Sequence, residues 1–217
     1  MFYLAASLLL AGNYIAFFAD AEPMVAAFFK VLPIVILILW ACRQAANRPL
    51  LIAALCLGGC GDVILALGYF IPGLVAFLIG HCLYITLWLS SPTKMRWAIA
   101  LPMLVLLAIS VWLIVPGSGD LQIPVAAYLL VIFVMAILAC RSTLVNNWGL
   151  LGVYSFLVSD FILAWHQFIA PLGYSVLAIM VTYYLAQSLI TLSVIQTTTT
   201  TTTTKTTTKT TIKQSYL

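Results

Sequence analysis

Two aspartates lie in stretches of chain that a bilayer would otherwise accept whole. Asp62 opens the run Asp62-Val63-Ile64-Leu65-Ala66, and Asp160 opens Asp160-Phe161-Ile162-Leu163-Ala164. A carboxylate near mid-membrane costs about 2.5–3.5 kcal/mol on insertion scales, so one that persists there is paired or used. Lys30, in a third apolar run, offers a single ammonium for the two. One lysine cannot neutralise both carboxylates. Burial disfavours the charged form and a nearby cation favours it, so the expected ground state has one aspartate ionised beside Lys30 and the other protonated. An acid and a base separated in this way suit proton-transfer catalysis. The competing reading is a structural ion pair that holds helices together.

The elements that must position these groups follow from composition. Of the 217 residues, 65% are apolar and 6% charged, and the mean hydropathy is +1.18. A soluble domain carries roughly a quarter charged residues, so the expectation is an all-α integral membrane protein. Runs of spanning length fall at 2–19, 24–42, 49–69, 72–90, 97–115, 123–140, 148–166 and 171–196, which predicts eight transmembrane helices. The first run lacks a basic leader and continues as a span, so no cleavable signal peptide is expected. Arg43, Arg48, Lys94, Arg96, Arg141, Lys205, Lys209 and Lys213 all follow even-numbered spans, whereas Asp20, Glu22 and Asp120 follow odd-numbered ones. The positive-inside rule then puts both termini in the cytoplasm.

The two aspartate runs also match each other. An offset of 98 carries Asp62 onto Asp160, Phe70-Ile71 onto Phe168-Ile169, and Ala41-Cys42-Arg43 onto Ala139-Cys140-Arg141. An offset of 100 carries Val25-Ala26-Ala27 onto Val125-Ala126-Ala127. This predicts a parallel 4+4 internal repeat, residues 1–96 and 97–196, related by an axis along the membrane normal. The carboxylates would then face one another across a central cavity. At about 1.5 Å of rise per residue they lie roughly 9 to 11 Å below the non-cytoplasmic helix ends. Lys30 and Asn13 fall at the same level, His81 and Tyr84 slightly deeper, and Tyr183, Tyr184 and Gln187 deeper again. His81 and Tyr84, three residues apart, share a helical face. Each of these supporting residues also has a bland reading, as packing aromatic or interhelical hydrogen-bond glue.

Other features are less informative. The stretch 197–217 is rich in threonine and lysine, too polar to bury a core, and is expected to be a disordered cytoplasmic tail. Cys42, Cys56, Cys60, Cys82 and Cys140 form no CxxC pair, and His81 and His166 are too few for a zinc site, so neither a disulfide framework nor a metal is expected. The cations are scattered rather than gathered in a patch, which argues against nucleic acid as a partner.

The ordered set Phe29-Lys30 with Pro33, Gly61-Asp62, His81 with Tyr84, Ser159-Asp160, and Tyr184 with Gln187 resembles the YhhN family of eight-helix membrane proteins, which includes the transmembrane lysoplasmalogenases. The resemblance covers residues 1–196. It implies hydrolysis of the sn-1 vinyl ether of a lysoplasmalogen, giving a fatty aldehyde and glycerophosphocholine or glycerophosphoethanolamine, with no cofactor. It carries the catalytic role onto Asp62 and Asp160. Vinyl ethers are cleaved by protonating the alkene carbon and capturing the oxocarbenium ion with water, which calls for an acid, a stabilising carboxylate and a base. The partners implied are a lysophospholipid substrate and membrane lipids. Two other classes stay open: a small proton-coupled transporter, and a non-enzymatic lipid-binding protein. Compactness and the lack of sorting signals point to a bacterial inner membrane, with the endoplasmic reticulum second. Oligomeric state and headgroup preference are not fixed by sequence.

Overall fold

With no water to satisfy backbone groups in a bilayer, an apolar chain of this kind closes its own hydrogen bonds as helices. The computed structural model describes the backbone of residues 2–214 and the side chains of residues 2–200. Its α-helices are α1 (Phe2–Asn13), α2 (Pro23–Gln44), α3 (Pro49–Ala66), α4 (Phe70–Leu89), α5 (Trp97–Gly117), α6 (Gln122–Ala139), α7 (Asn147–Phe168) and α8 (Ser175–Gln214). A π-helical turn, Tyr14–Phe18, extends α1, and a 3-10 turn, Gly119–Leu121, leads into α6. Among the described residues there is no strand. Seven elements are long and apolar enough to cross a membrane, and the apolar helix Phe2–Phe18 is shorter. Side chains such as Leu9 and Trp112 are about three-quarters exposed (75% and 76%). That exposure would be anomalous in water and fits a lipid-facing surface in a multi-pass membrane protein.

Local signals set the helix ends. Pro23 and Pro49 stand at the first positions of α2 and α3, where a missing N–H costs nothing. Asn146 caps α7 by accepting from the Gly149 amide at 3.1 Å. After α3 the chain turns at Gly68, whose φ of +87° is the left-handed conformation that glycine adopts freely. The result is the tight α3–α4 hairpin that the sequence predicts, with α4 entering at Phe70 rather than at Pro72.

The helices pack as consecutive hairpins, α1 on α2, α3 on α4, α5 on α6 and α7 on α8, and α4 lies against α6 while α8 lies against α2. Small residues let the backbones approach, as is usual between membrane helices. A Cβ on Gly152 would meet the Ala186 carbonyl of α8 at 2.9 Å, and one on Gly61 would meet the Phe77 ring of α4 at 2.7 Å. At the end of the bundle where α4 and α6 finish, Arg96 donates to the carbonyls of Ala139, Cys140 and Val145 at 3.1, 2.9 and 2.8 Å. It thereby caps the last turn of α6 and ties the α4–α5 and α6–α7 loops together. The backbone of α8 stays helical as far as Gln214, where composition alone predicts a disordered tail. Thr197, Thr199 and Thr200 return their hydroxyls to the carbonyls four residues earlier, a local bond that lets threonine continue a helix.

Candidate active site

Asp62 is 2% exposed and faces Lys30 across the α2–α3 contact, with Nζ to Oδ1 at 3.5 Å. Its second oxygen has no hydrogen-bond partner among the described residues. Asp160, half-buried on α7, has a different companion: the Tyr128 hydroxyl of α6 donates to its Oδ2 at 2.6 Å. No lysine or arginine forms an ion pair with Asp160 among the described residues. The two carboxylates thus have unlike partners, one a cation and the other a phenol.

Both carboxylates line one cavity of about 270 Å³, together with Lys30, Tyr128, Tyr14 and Tyr183. Near the helix ends its wall is made by Ala19, His166 and Ser175, and deeper by Phe77, Ile179 and Met180. The Tyr183 hydroxyl faces Asp62 and Gln187 without reaching hydrogen-bond geometry with either. Below the cavity the bundle is closed. Tyr84 donates to Gln187 Oε1 at 2.7 Å, and the Tyr84 ring stacks on Trp88.

Of the candidate site residues, Asp62, Asp160, Lys30 and Tyr183 therefore meet at the cavity, and Asn13, His81, Tyr84, Tyr184 and Gln187 do not line it. Tyr184 is engaged by the Lys30 carbonyl, to which it donates at 2.8 Å. The Tyr84 hydroxyl is spent on Gln187 Oε1. His81 lies behind the wall, edge-on to the rings of Tyr128 and Phe156 at 5.5 and 5.1 Å between centroids, and neither ring nitrogen has a partner among the described residues. Asn13 is exposed. Its neighbour Tyr14 takes the inward direction instead, buried edge-on against Tyr184, because consecutive helical residues cannot share a face.

Neither Tyr128 nor Tyr14 stands out in the sequence as a site residue, and His166 stands there only as one of two histidines, too few for zinc. His166 accepts the Leu172 amide at Nδ1 (3.0 Å), which pins the α7–α8 turn at the cavity rim. A signal for Tyr128 was present: the offset of 98 that carries Asp62 onto Asp160 also carries Lys30 onto Tyr128.

Comparison with known proteins gives a consistent set. The model of the YhhN family matches residues 25–194. A human protein named lysoplasmalogenase TMEM86B is 35% identical over 185 residues, covering 79% of this chain and 76% of that one. A rat protein of the same name is 31% identical over 181 residues, covering 82% of this chain and 76% of its own length. A Mycobacterium bovis protein named lysoplasmalogenase is 32% identical over 158 residues, covering 67% of this chain and 60% of that one. No solved structure matches the chain.

Proposed function

The chain belongs to the YhhN family, and from that premise we propose that it is a lysoplasmalogenase, hydrolysing the sn-1 vinyl ether of a lysoplasmalogen to a fatty aldehyde and glycerophosphocholine or glycerophosphoethanolamine. The observation that carries this reading is the pair of carboxylates with unlike partners in a single cavity. In the reaction, Asp160 holds the proton and delivers it to the alkene carbon, and the electron pair of the double bond forms the new C–H bond. The ether oxygen shares the resulting positive charge as an oxocarbenium ion. Asp62, kept ionised by Lys30, faces that charge and takes a proton from the water that adds to the cationic carbon. The hemiacetal then breaks its bond to the glycerol oxygen, its hydroxyl proton passing to that oxygen as the C=O forms, and the proton taken up by Asp62 returns to Asp160 within the shared cavity. Substrate plus water becomes aldehyde plus alcohol. Tyr128 stabilises the Asp160 carboxylate once its proton has gone, and Lys30 orients Asp62.

Several finer readings support this arrangement. We take the chain to have eight spans, with Phe2–Phe18 as the shortest at the lower limit of spanning length, and a parallel repeat of four helices. The seam of α4 with α6 has its counterpart in that of α8 with α2, and Lys30–Asp62 has its counterpart in Tyr128–Asp160. Residues 1–196 form the membrane domain and 197–217 an appendage outside the chemistry. With Arg43, Arg48, Lys94, Arg96 and Arg141 at one end of the bundle, both termini face the cytoplasm, and the site opens from the other side. A bacterial inner membrane is the favoured location. The closed floor at Tyr84 and Gln187 weighs against a carrier, which needs polar access from both faces.

The test is aldehyde release from a lysoplasmalogen by purified protein in detergent, beside Asp62→Asn, Asp160→Asn and a saturated ether lysolipid. Aldehyde is expected from the wild type alone and from the vinyl ether alone. Folded wild type that releases none would overturn the proposal.

A further inference from the structure

The cavity is large enough for the reacting end of a lipid but not for the whole molecule. Sites that enclose a drug-sized ligand run from about 300 to 1,000 Å³, and this one is about 270 Å³. A hydrocarbon chain must therefore leave it between helices, and the α2–α8 and α4–α6 seams are two that border it. The α2–α8 seam is shut: Tyr184 bonds the Lys30 carbonyl at 2.8 Å, and Tyr14 packs edge-on against the same ring.

The α4–α6 seam is different. On its outer side lies an apolar groove of about 190 Å³, lined by Ile71, Leu74, Val75 and Leu78 of α4 and by Pro124 and Ala127 of α6. Ile71, Val75, Pro124 and Ala127 are exposed, so the groove opens toward lipid. Tyr128 lines both groove and cavity. Between them a slot of about 20 Å³ is walled by Phe70, Leu74, Tyr128 and Asp160. The groove thus approaches Asp160 through one constriction, bordered by Phe70, Leu74 and Tyr128.

We propose that the α4–α6 groove is the subsite for the hydrocarbon chain of a single-chain lipid, which reaches Asp160 laterally past Tyr128, Phe70 and Leu74. The identity of the reacting bond rests on the function proposed above, whereas the place of the chain rests on the cavities alone. From Ile71 to Leu78 the groove runs about 10 Å along the helix axis, and it is one seam wide. With the α2–α8 seam shut, a second chain on the same glycerol cannot leave there, and the groove, one seam wide, holds a single chain, which favours lysolipids over two-chain lipids by shape.

The experiment uses the full chain in detergent with a saturated ether lysophosphatidylcholine that carries a diazirine in mid-chain. This probe cannot be hydrolysed, so its result does not depend on turnover. After irradiation and peptide mass spectrometry, labels are expected on Val75, Leu78 and Ala127, and a two-chain diazirine phospholipid should not compete for them. Labels spread over α1 and α5, as on any lipid-facing surface, would overturn the subsite. In a second arm, Leu78→Trp and Val75→Trp should lower kcat/KM for a long-chain lysoplasmalogen about tenfold, the worth of roughly two buried methylenes, and leave a short-chain one unchanged. Equal loss on both chain lengths would overturn it. Wild type that labels in the groove but releases no aldehyde would defeat the catalytic reading and leave the subsite standing. Aldehyde release with labels elsewhere would do the reverse.

Discussion

Replacing Tyr128 by phenylalanine removes one oxygen from the site and nothing else of its shape. The lost group is the donor of the 2.6 Å bond to Asp160 Oδ2, while the ring edge that faces His81 stays. A hydrogen bond to a charged acceptor is worth about 1.5–3 kcal/mol. It counts in full only after Asp160 has given up its proton, so the loss falls on the transition state. At about 1.4 kcal/mol per factor of ten, Tyr128→Phe should lower kcat by about 10- to 150-fold with little change in KM, the signature of an interaction made in the transition state. The assay is steady-state aldehyde release over a range of substrate concentrations, with thermal unfolding in the same detergent. Tyr84→Phe is the internal control. It deletes an equally short bond, 2.7 Å to Gln187, but outside the cavity, so it should lower the unfolding temperature and spare kcat. A double change, Tyr128→Phe with Asp160→Asn, should be no slower than Asp160→Asn alone, because residues that act as a unit are not additive. A Tyr128→Phe enzyme within twofold of wild type would refute the acid role of Asp160.

Three further outcomes are expected. Lys30→Met strands a buried carboxylate, which should cost about 3–5 kcal/mol if Asp62 stays ionised; a drop in unfolding temperature together with near-complete loss of aldehyde release checks it. His81→Phe fits a site walled by the rings of Tyr128 and Phe156 and removes two ring nitrogens without partners among the described residues, so stability should change by less than about 1.5 kcal/mol. Retained turnover would mark His81 as packing, and a large loss with a normal unfolding temperature would give it a part in the chemistry. Gly152→Ala forces a methyl into the Ala186 carbonyl of α8, 2.9 Å away, and backbone cannot yield as a side chain does. It should cost about 1–3 kcal/mol, read as a lower unfolding temperature or poor yield, whereas Gly12→Ala meets nothing within 4 Å and should be silent.

Much of the site could be read without coordinates, for a reason particular to membranes. Where few residues are charged, Asp62, Asp160 and Lys30 stand out because the solvent penalises each of them. Tyrosine carries no such mark. Ten are present, some structural and some in the cavity, and nothing in an apolar run separates Tyr128 from Tyr84 except what lies opposite. Only the internal offset tells them apart, since it equates Tyr128 with Lys30. Depth along a helix is likewise legible, but azimuth is less so: Asn13 lies at the right level and points outward, because Tyr14 occupies the inward direction. Gln187, Tyr84 and Tyr184 are buried, yet Tyr84 bonds Gln187 and Tyr184 bonds the Lys30 carbonyl.

The hydrogen bond between Tyr84 and Gln187 has a consequence for the membrane as well as for the protein. A cavity closed at that level communicates with only one of the two monolayers. If both termini are cytoplasmic, this is the outer monolayer, and substrate made on the inner face stays beyond reach until something carries it across. Turnover in an intact cell would then report the rate of lipid translocation rather than the chemistry of two aspartates, and the same protein in detergent, where monolayers no longer exist, would run faster.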